Sequence, residues 1–104
     1  MQNNCRIPKI LKMKAKLKQC PCCDYFTLTN RGEYEICEIC FWEDDGHDLT
    51  ELKTHSGPNH ITLEEGRMNF LKFGACTENS VKYVIKESER SNFKYDKRTT
   101  GNFS

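Results

Sequence analysis

A chain of 104 residues with a net charge of +1 and seven cysteines has room for one domain and little room for a self-sufficient apolar core. Nothing in it approaches the roughly eighteen consecutive apolar residues of a membrane-spanning helix, and lysines interrupt every apolar run before Cys20, which argues against a secretory leader. The odd cysteine count speaks against a secreted disulfide scaffold and predicts a reducing, cytoplasmic setting.

Charge is segregated along the chain. Residues 1–19 carry Arg6, Lys9, Lys12, Lys14, Lys16 and Lys18 with no acid, whereas residues 20–65 hold eleven acids against Arg31 and Lys53. Residues 66–104 return to an excess of bases, so an acidic middle between basic ends can fold back on itself or attract separate partners.

In the first segment, Leu11, Met13, Ala15 and Leu17 alternate with Lys12, Lys14, Lys16 and Lys18, a period of two that suits a strand, although the residue types favour helix. Residues 1–18 are therefore read as a basic arm whose end leads as a strand into Cys20. A solubilising extension is the simpler role for it; binding to nucleic acid is the sharper one.

The densest chemical signal follows. Cys20-Pro21-Cys22-Cys23 and Cys37-Glu38-Ile39-Cys40 contain two C-x-x-C pairs separated by a hairpin-sized spacer. Tetrahedral Zn2+ takes four sulfurs, and each two-residue gap lets both thiolates of a pair turn toward one ion, so Cys20, Cys23, Cys37 and Cys40 are the predicted ligands of one structural zinc. Such a site supplies about 10 to 16 kcal/mol of apparent free energy in zinc-finger peptides, more than the net stability of a typical domain. Cys22 and Cys76 are additional thiols. A redox role for Cys22 is disfavoured, because a four-thiolate zinc complex is a local dianion that opposes ionisation of a neighbouring thiol.

Between the pairs, Phe26 and Leu28 alternate with Tyr25, Thr27 and Thr29, and Tyr34 and Ile36 alternate with Glu33 and Glu35. With Asn30-Arg31-Gly32 as the turn, this predicts a hairpin with Phe26, Leu28, Tyr34 and Ile36 inward and the Thr and Glu set in water. Past the second pair, Trp42 is expected to cover the site as a core residue. Glu43, Asp44, Asp45 and His47, with His55 and His60 in a polar loop, form either a second metal site or a set of structural pairings. No H-E-x-x-H or comparable rigid spacing is present, which favours the structural role.

Thr62-Leu63-Glu64-Glu65 has the form of a capping box and predicts a helix ending at Gly74, with Leu63, Gly66, Phe70, Leu71 and Phe73 on one face. Arg67 lies within that apolar stripe, so it needs a buried partner, and Asp44 or Asp45 is the expected one. A second helix is predicted over 77–88, and residues 89–104 read as a polar, flexible tail, which bounds the domain at 19–88.

Taken together, Cys20-Pro21-Cys22-Cys23, Tyr34-Glu35-Ile36-Cys37, Cys40-Phe41-Trp42-Glu43-Asp44-Asp45 and the later Leu63, Arg67, Asn69-Phe70 and Gly74-Ala75-Cys76 resemble the cysteine-rich CPCC family of small, mostly bacterial proteins. The resemblance covers about residues 19–76 and implies a zinc-ribbon-like module, without implying a reaction. This chain departs from the family pattern with Asp24 where Gly is usual, Glu38 where Pro is usual and Gly66 where Ala is usual; Asp tolerates positive φ better than most residues.

The expected fold is small α+β: a zinc-ribbon-like β-hairpin with two cysteine knuckles, followed by one or two short helices. The leading function is a non-catalytic, zinc-stabilised module that binds another protein, with no membrane partner. A nucleic-acid-binding ribbon is weakened by the acidic middle, which repels phosphate. A metal-dependent hydrolase built on the acidic and histidine cluster is the third class.

Overall fold

Each C-x-x-C pair is held in its own tight turn, and the two turns repeat one backbone pattern. In the computed structural model, which describes residues 16–99, the Asp24 N–H donates to Cys20 O at 3.0 Å and the Cys20 N–H to Tyr25 O at 2.8 Å. Seventeen residues on, Phe41 N–H donates to Cys37 O at 2.9 Å and Cys37 N–H to Trp42 O at 2.9 Å. The residue after each pair takes the left-handed conformation, Asp24 at φ 70° and Phe41 at φ 72°. That turn points both sulfurs of a pair to one side, which is why the motif tolerates Asp24 where the family pattern has Gly.

The strand pairing differs from the hairpin expected between the two pairs. Strand β1 (Lys18–Gln19) runs antiparallel to β2 (Phe26–Leu28), so the first turn closes its own hairpin. The 34–37 segment instead lies against 42–44: Tyr34 N–H donates to Asp44 O, Asp44 N–H to Glu35 O, and Ile36 bridges Glu43. The expected inward set is therefore corrected. Leu28 is fully buried and Phe26 half-buried, but Tyr34 is 59% and Ile36 44% exposed, while Thr27 is fully buried. Adjacent Thr27 and Leu28 are both buried, so the expected alternation of inward and outward residues does not hold; each arm pairs across the nearest cysteine turn, where closing the loop costs less entropy.

A second hairpin, β3 (His55–Ser56) with β4 (Ile61–Thr62), occupies the stretch expected to be a polar loop. It delivers the chain to helix α1 (Leu63–Phe73), which has the predicted ends. Thr62 accepts from Glu65 N–H, Glu65 reaches back to Thr62 N–H at 2.8 Å, and Gly74 caps the far end at φ 91° with its N–H on Phe70 O. Leu63 and Gly66 are buried and Phe70 is half-buried, but Leu71, assigned to the apolar face, is 85% exposed.

The predicted second helix is two 3-10 turns, Glu78–Tyr83 and Glu87–Asn92. β-branched Val81, Val84 and Ile85 are weak helix formers, and Val84 is extended at φ −101°, ψ 163°. Residues beyond 88 also pack on the core: Phe93 is 6% exposed there, Lys94 O accepts from Phe26 N–H, and Tyr95 bridges Tyr25 with ring centroids 4.6 Å apart. Residues 93–98 thus pack beside the first cysteine turn. The remainder of the expected tail and most of the basic arm lie outside the described residues. Among the described residues no helix is long and apolar enough to cross a membrane.

The core is built around sulfur. Cys20, Cys22, Cys23, Cys37, Cys40 and Cys76 pack with Leu28, Ile39, Trp42, Leu63 and Phe93. The aliphatic content is small for the surface it must hold together, and the cysteines fill the centre.

Candidate metal centre

The sulfurs of Cys20, Cys23, Cys37 and Cys40 all lie within 4.8 Å of one another, and these four residues are 0 to 4% exposed. Across the two turns, Cys20 Sγ is 3.6 Å from Cys40 Sγ and Cys23 Sγ is 3.7 Å from Cys37 Sγ. A tetrahedral ion with metal–sulfur bonds of about 2.3 Å separates its ligands by about 3.8 Å, so the cluster has the size such an ion requires. The four cysteines are positioned to bind one metal ion.

Donors from the protein surround these sulfurs. Thr27 Oγ1 donates to Cys37 Sγ at 3.1 Å, Ile39 N–H reaches the same sulfur at 3.4 Å, and Trp42 N–H reaches Cys40 Sγ at 3.4 Å. Partners of this kind fix ligand orientation and disperse thiolate charge. This explains the buried Thr27, which alternation alone assigned to water. Burial pushes the thiols of Cys20, Cys23 and Cys40 up, whereas at Cys37 the hydrogen bonds from its three neighbours and Thr27 outweigh burial and hold the thiol well below its ordinary value.

Cys22 and Cys76 are buried at 2% and 3% but are not members of the four-sulfur group. Burial, followed by the charge of Cys22, pushes the Cys76 thiol up to about 12. Its backbone closes the helix end onto the second turn, with Cys76 N–H on Cys40 O at 2.7 Å and Asn69 Nδ2 on Cys76 O at 2.9 Å. Cys22 and fully buried Trp42 lie beneath α1 at Gly66. A Cβ built there meets Trp42 Cζ3 at 2.9 Å, Cε3 at 3.1 Å and Cys22 Sγ at 3.3 Å. Gly66 therefore lets the helix sit closer than the usual Ala allows. Gly66→Val is expected to lose about 1 to 3 kcal/mol by overpacking, read as a lowered denaturation midpoint at unchanged metal content.

The acidic stretch after Trp42 serves the fold. Among the described residues, Glu43, Asp44, Asp45 and His47 do not gather into a metal-sized group. Asp44, fully buried, accepts from Arg31 Nε at 2.9 Å, Gly32 N–H at 2.7 Å and Gly46 N–H at 3.1 Å. Asp45 accepts from Ser56 Oγ at 2.6 Å and His47 N–H at 3.1 Å, and the Glu43 backbone is matched on both sides by the Asn59 amide. His55 and His60 are exposed in the second hairpin, apart from this cluster.

Arg67 is half-buried and paired as predicted, but with a different acid. Its guanidinium makes two 2.9 Å bonds to the Asp24 carboxylate and also donates to Pro21 O and Arg98 O. Asp24 additionally accepts from Arg98 Nε at 3.0 Å and Arg98 N–H at 2.8 Å. Arg98 reaches on to Asp48, Asp48 to Arg31 and Arg31 to Asp44. The expected Asp44 or Asp45 pairing fails because Arg31 already neutralises Asp44. Sequence reading passed over Asp24 and Arg98, since nothing local marks two residues 74 positions apart as partners.

A small α+β module whose interior is organised by four buried, metal-ready cysteines is the class that this fold and site define. The cysteine-rich CPCC family matches residues 18–91, and the chain belongs to that family. No curated protein and no solved structure matches it.

Proposed function

We propose that the chain is a zinc-stabilised, non-catalytic interaction module that engages another protein through its surface. The observation that carries this reading is the closure of the site: four cysteines at 0 to 4% exposure lie within 4.8 Å of one another, and as thiolates on one ion they would complete a tetrahedral sphere with no position for water or substrate. An all-thiolate donor set suits zinc among the common divalent ions, and its free thiols belong in a reducing compartment such as the cytoplasm. Zinc in this role would contribute folding free energy and no chemistry.

Native mass spectrometry of the purified protein is expected to show one zinc per chain. Single substitutions of Glu43, Asp45, His47 and His60, assayed for fold, partner capture and esterase or phosphatase turnover, separate the classes. The expected result is no turnover in parent or variants. A folded variant that lost a turnover present in the parent would overturn the reading in favour of a hydrolase.

A further inference from the structure

Outside the metal centre, a groove of about 480 Å³ opens between α1 and the segment 95–99. Part of its wall is apolar and open to solvent: Met68 is 63%, Leu71 85% and Tyr95 49% exposed, with half-buried Phe70 and Leu52 beside them. Exposed apolar side chains gathered around one depression mark interaction surfaces far better than single exposed ones do. Its floor reaches Cys22, Cys23 and the Asp24–Arg67–Arg98 cluster, whose hydrogen bonds fix the shape before any ligand arrives.

Charge defines the occupant. Lys53 and Lys97 line the groove, are exposed and pair with no acid among the described residues. In the cluster beneath, two guanidiniums share the single Asp24 carboxylate, with Asp48 as the second acid on Arg98. Glu64 is the opposing charge on the rim, and the lining as a whole remains cationic in a chain whose residues 20–65 are acidic. We propose that this groove binds an acidic peptide segment carrying one bulky apolar side chain. The apolar group packs against Phe70, Met68 and Leu71, and flanking carboxylates meet Lys53 and Lys97. An open groove with Leu71 almost fully solvated covers one side of its ligand, which suits a side chain presented by a continuing backbone better than a small molecule enclosed on all sides. The proposal rests on the interaction-module reading and names its surface.

The test uses the zinc-loaded full chain and a random peptide library, panned in parallel on the parent and on Leu71→Glu. Leu71 is so exposed that the variant keeps its fold, checked by zinc stoichiometry and circular dichroism. Enriched peptides are expected to be acidic with one large apolar residue, to bind at least 10-fold more weakly to Leu71→Glu and to Lys53→Glu/Lys97→Glu, and to weaken with added salt. Peptides that bind Leu71→Glu as well as the parent would overturn the groove while sparing the interaction module. Saturable binding of phenylacetate at Met68 and Leu71 without any peptide binding would overturn it in favour of a small-carboxylate site. Failure of every peptide to enrich also overturns it, and the module reading is then judged by its own turnover and capture assays.

Discussion

Removing the metal is expected to abolish cooperative unfolding. Protein loaded with zinc is expected to melt in one transition; after treatment with a strong chelator under reducing conditions, near-ultraviolet circular dichroism is expected to collapse and no sharp transition to remain. The reason is where the four cysteines sit. They occupy the centre of the core and anchor both turns, so losing the ion leaves buried thiolate and thiol groups in contact and few aliphatic side chains to hold the elements together. Apparent zinc binding of about 10 to 16 kcal/mol exceeds the roughly 5 to 15 kcal/mol net stability of an ordinary domain. Cys37→Ser is expected to be at least as severe as Cys20→Ser, because Thr27 and Ile39 both direct donors at the Cys37 sulfur. Cys22→Ser and Cys76→Ser are expected to keep one zinc per chain. An unchanged melting transition in metal-free protein would remove the structural role, and loss of zinc on Cys22→Ser would reassign the ligand set.

Asp24→Asn is the second large effect. Asn keeps the shape and the tolerance of φ 70°, so the substitution isolates charge. It leaves Arg67, 12% exposed at its side chain, without its carboxylate, and it strips one of two acids from Arg98. Leaving one partner of a buried pair costs about 3 to 5 kcal/mol; because Arg98 is a quarter exposed and retains Asp48, the lower end, about 3 kcal/mol, is expected. Arg67→Ala is expected to be comparably severe, and the double variant less than additive.

The pH dependence follows in sign. Burial alone would raise the Asp24 carboxyl, but bonds from Arg67 and Arg98 outweigh it and hold the group below its ordinary 3.8. A depressed folded value means stability that is complete above the ordinary value and is lost as pH falls through the lower one. The difference in unfolding free energy between parent and Asp24→Asn is therefore expected to be constant through the neutral range and to narrow only under acid below about 4. Measuring the difference cancels the acid lability of the thiolate site, which both proteins share. A difference that vanished already near neutral pH would mean that the cluster contributes little.

The expected and observed structures part at identifiable residues. The sequence by itself picked out the four cysteines that gather as one metal-sized group, because two-residue gaps inside each pair are a local geometric demand of a tetrahedral ion. It determined both ends of α1 for the same reason, since Thr62, Glu65 and Gly74 satisfy backbone groups within a few residues of themselves. It also required a buried partner for Arg67, because a cation within an apolar stripe has no other stable arrangement.

Which partner, and which strands pair, were decided only in three dimensions. The pattern of residues 25–36 suits a long hairpin and two short ones equally well, and the hydrogen bonds of each cysteine turn chose the short ones. Thr27 turned inward because a buried sulfur needed a donor, a demand invisible to hydrophobic periodicity. Lys94, Tyr95 and Arg98 read as tail because their partners, Phe26, Tyr25 and Asp24, lie about seventy residues earlier. Local propensity and spacing determine what each short segment can form. Long-range burial and charge neutralisation select among those forms, and their free energy depends on groups that meet only once the chain has folded.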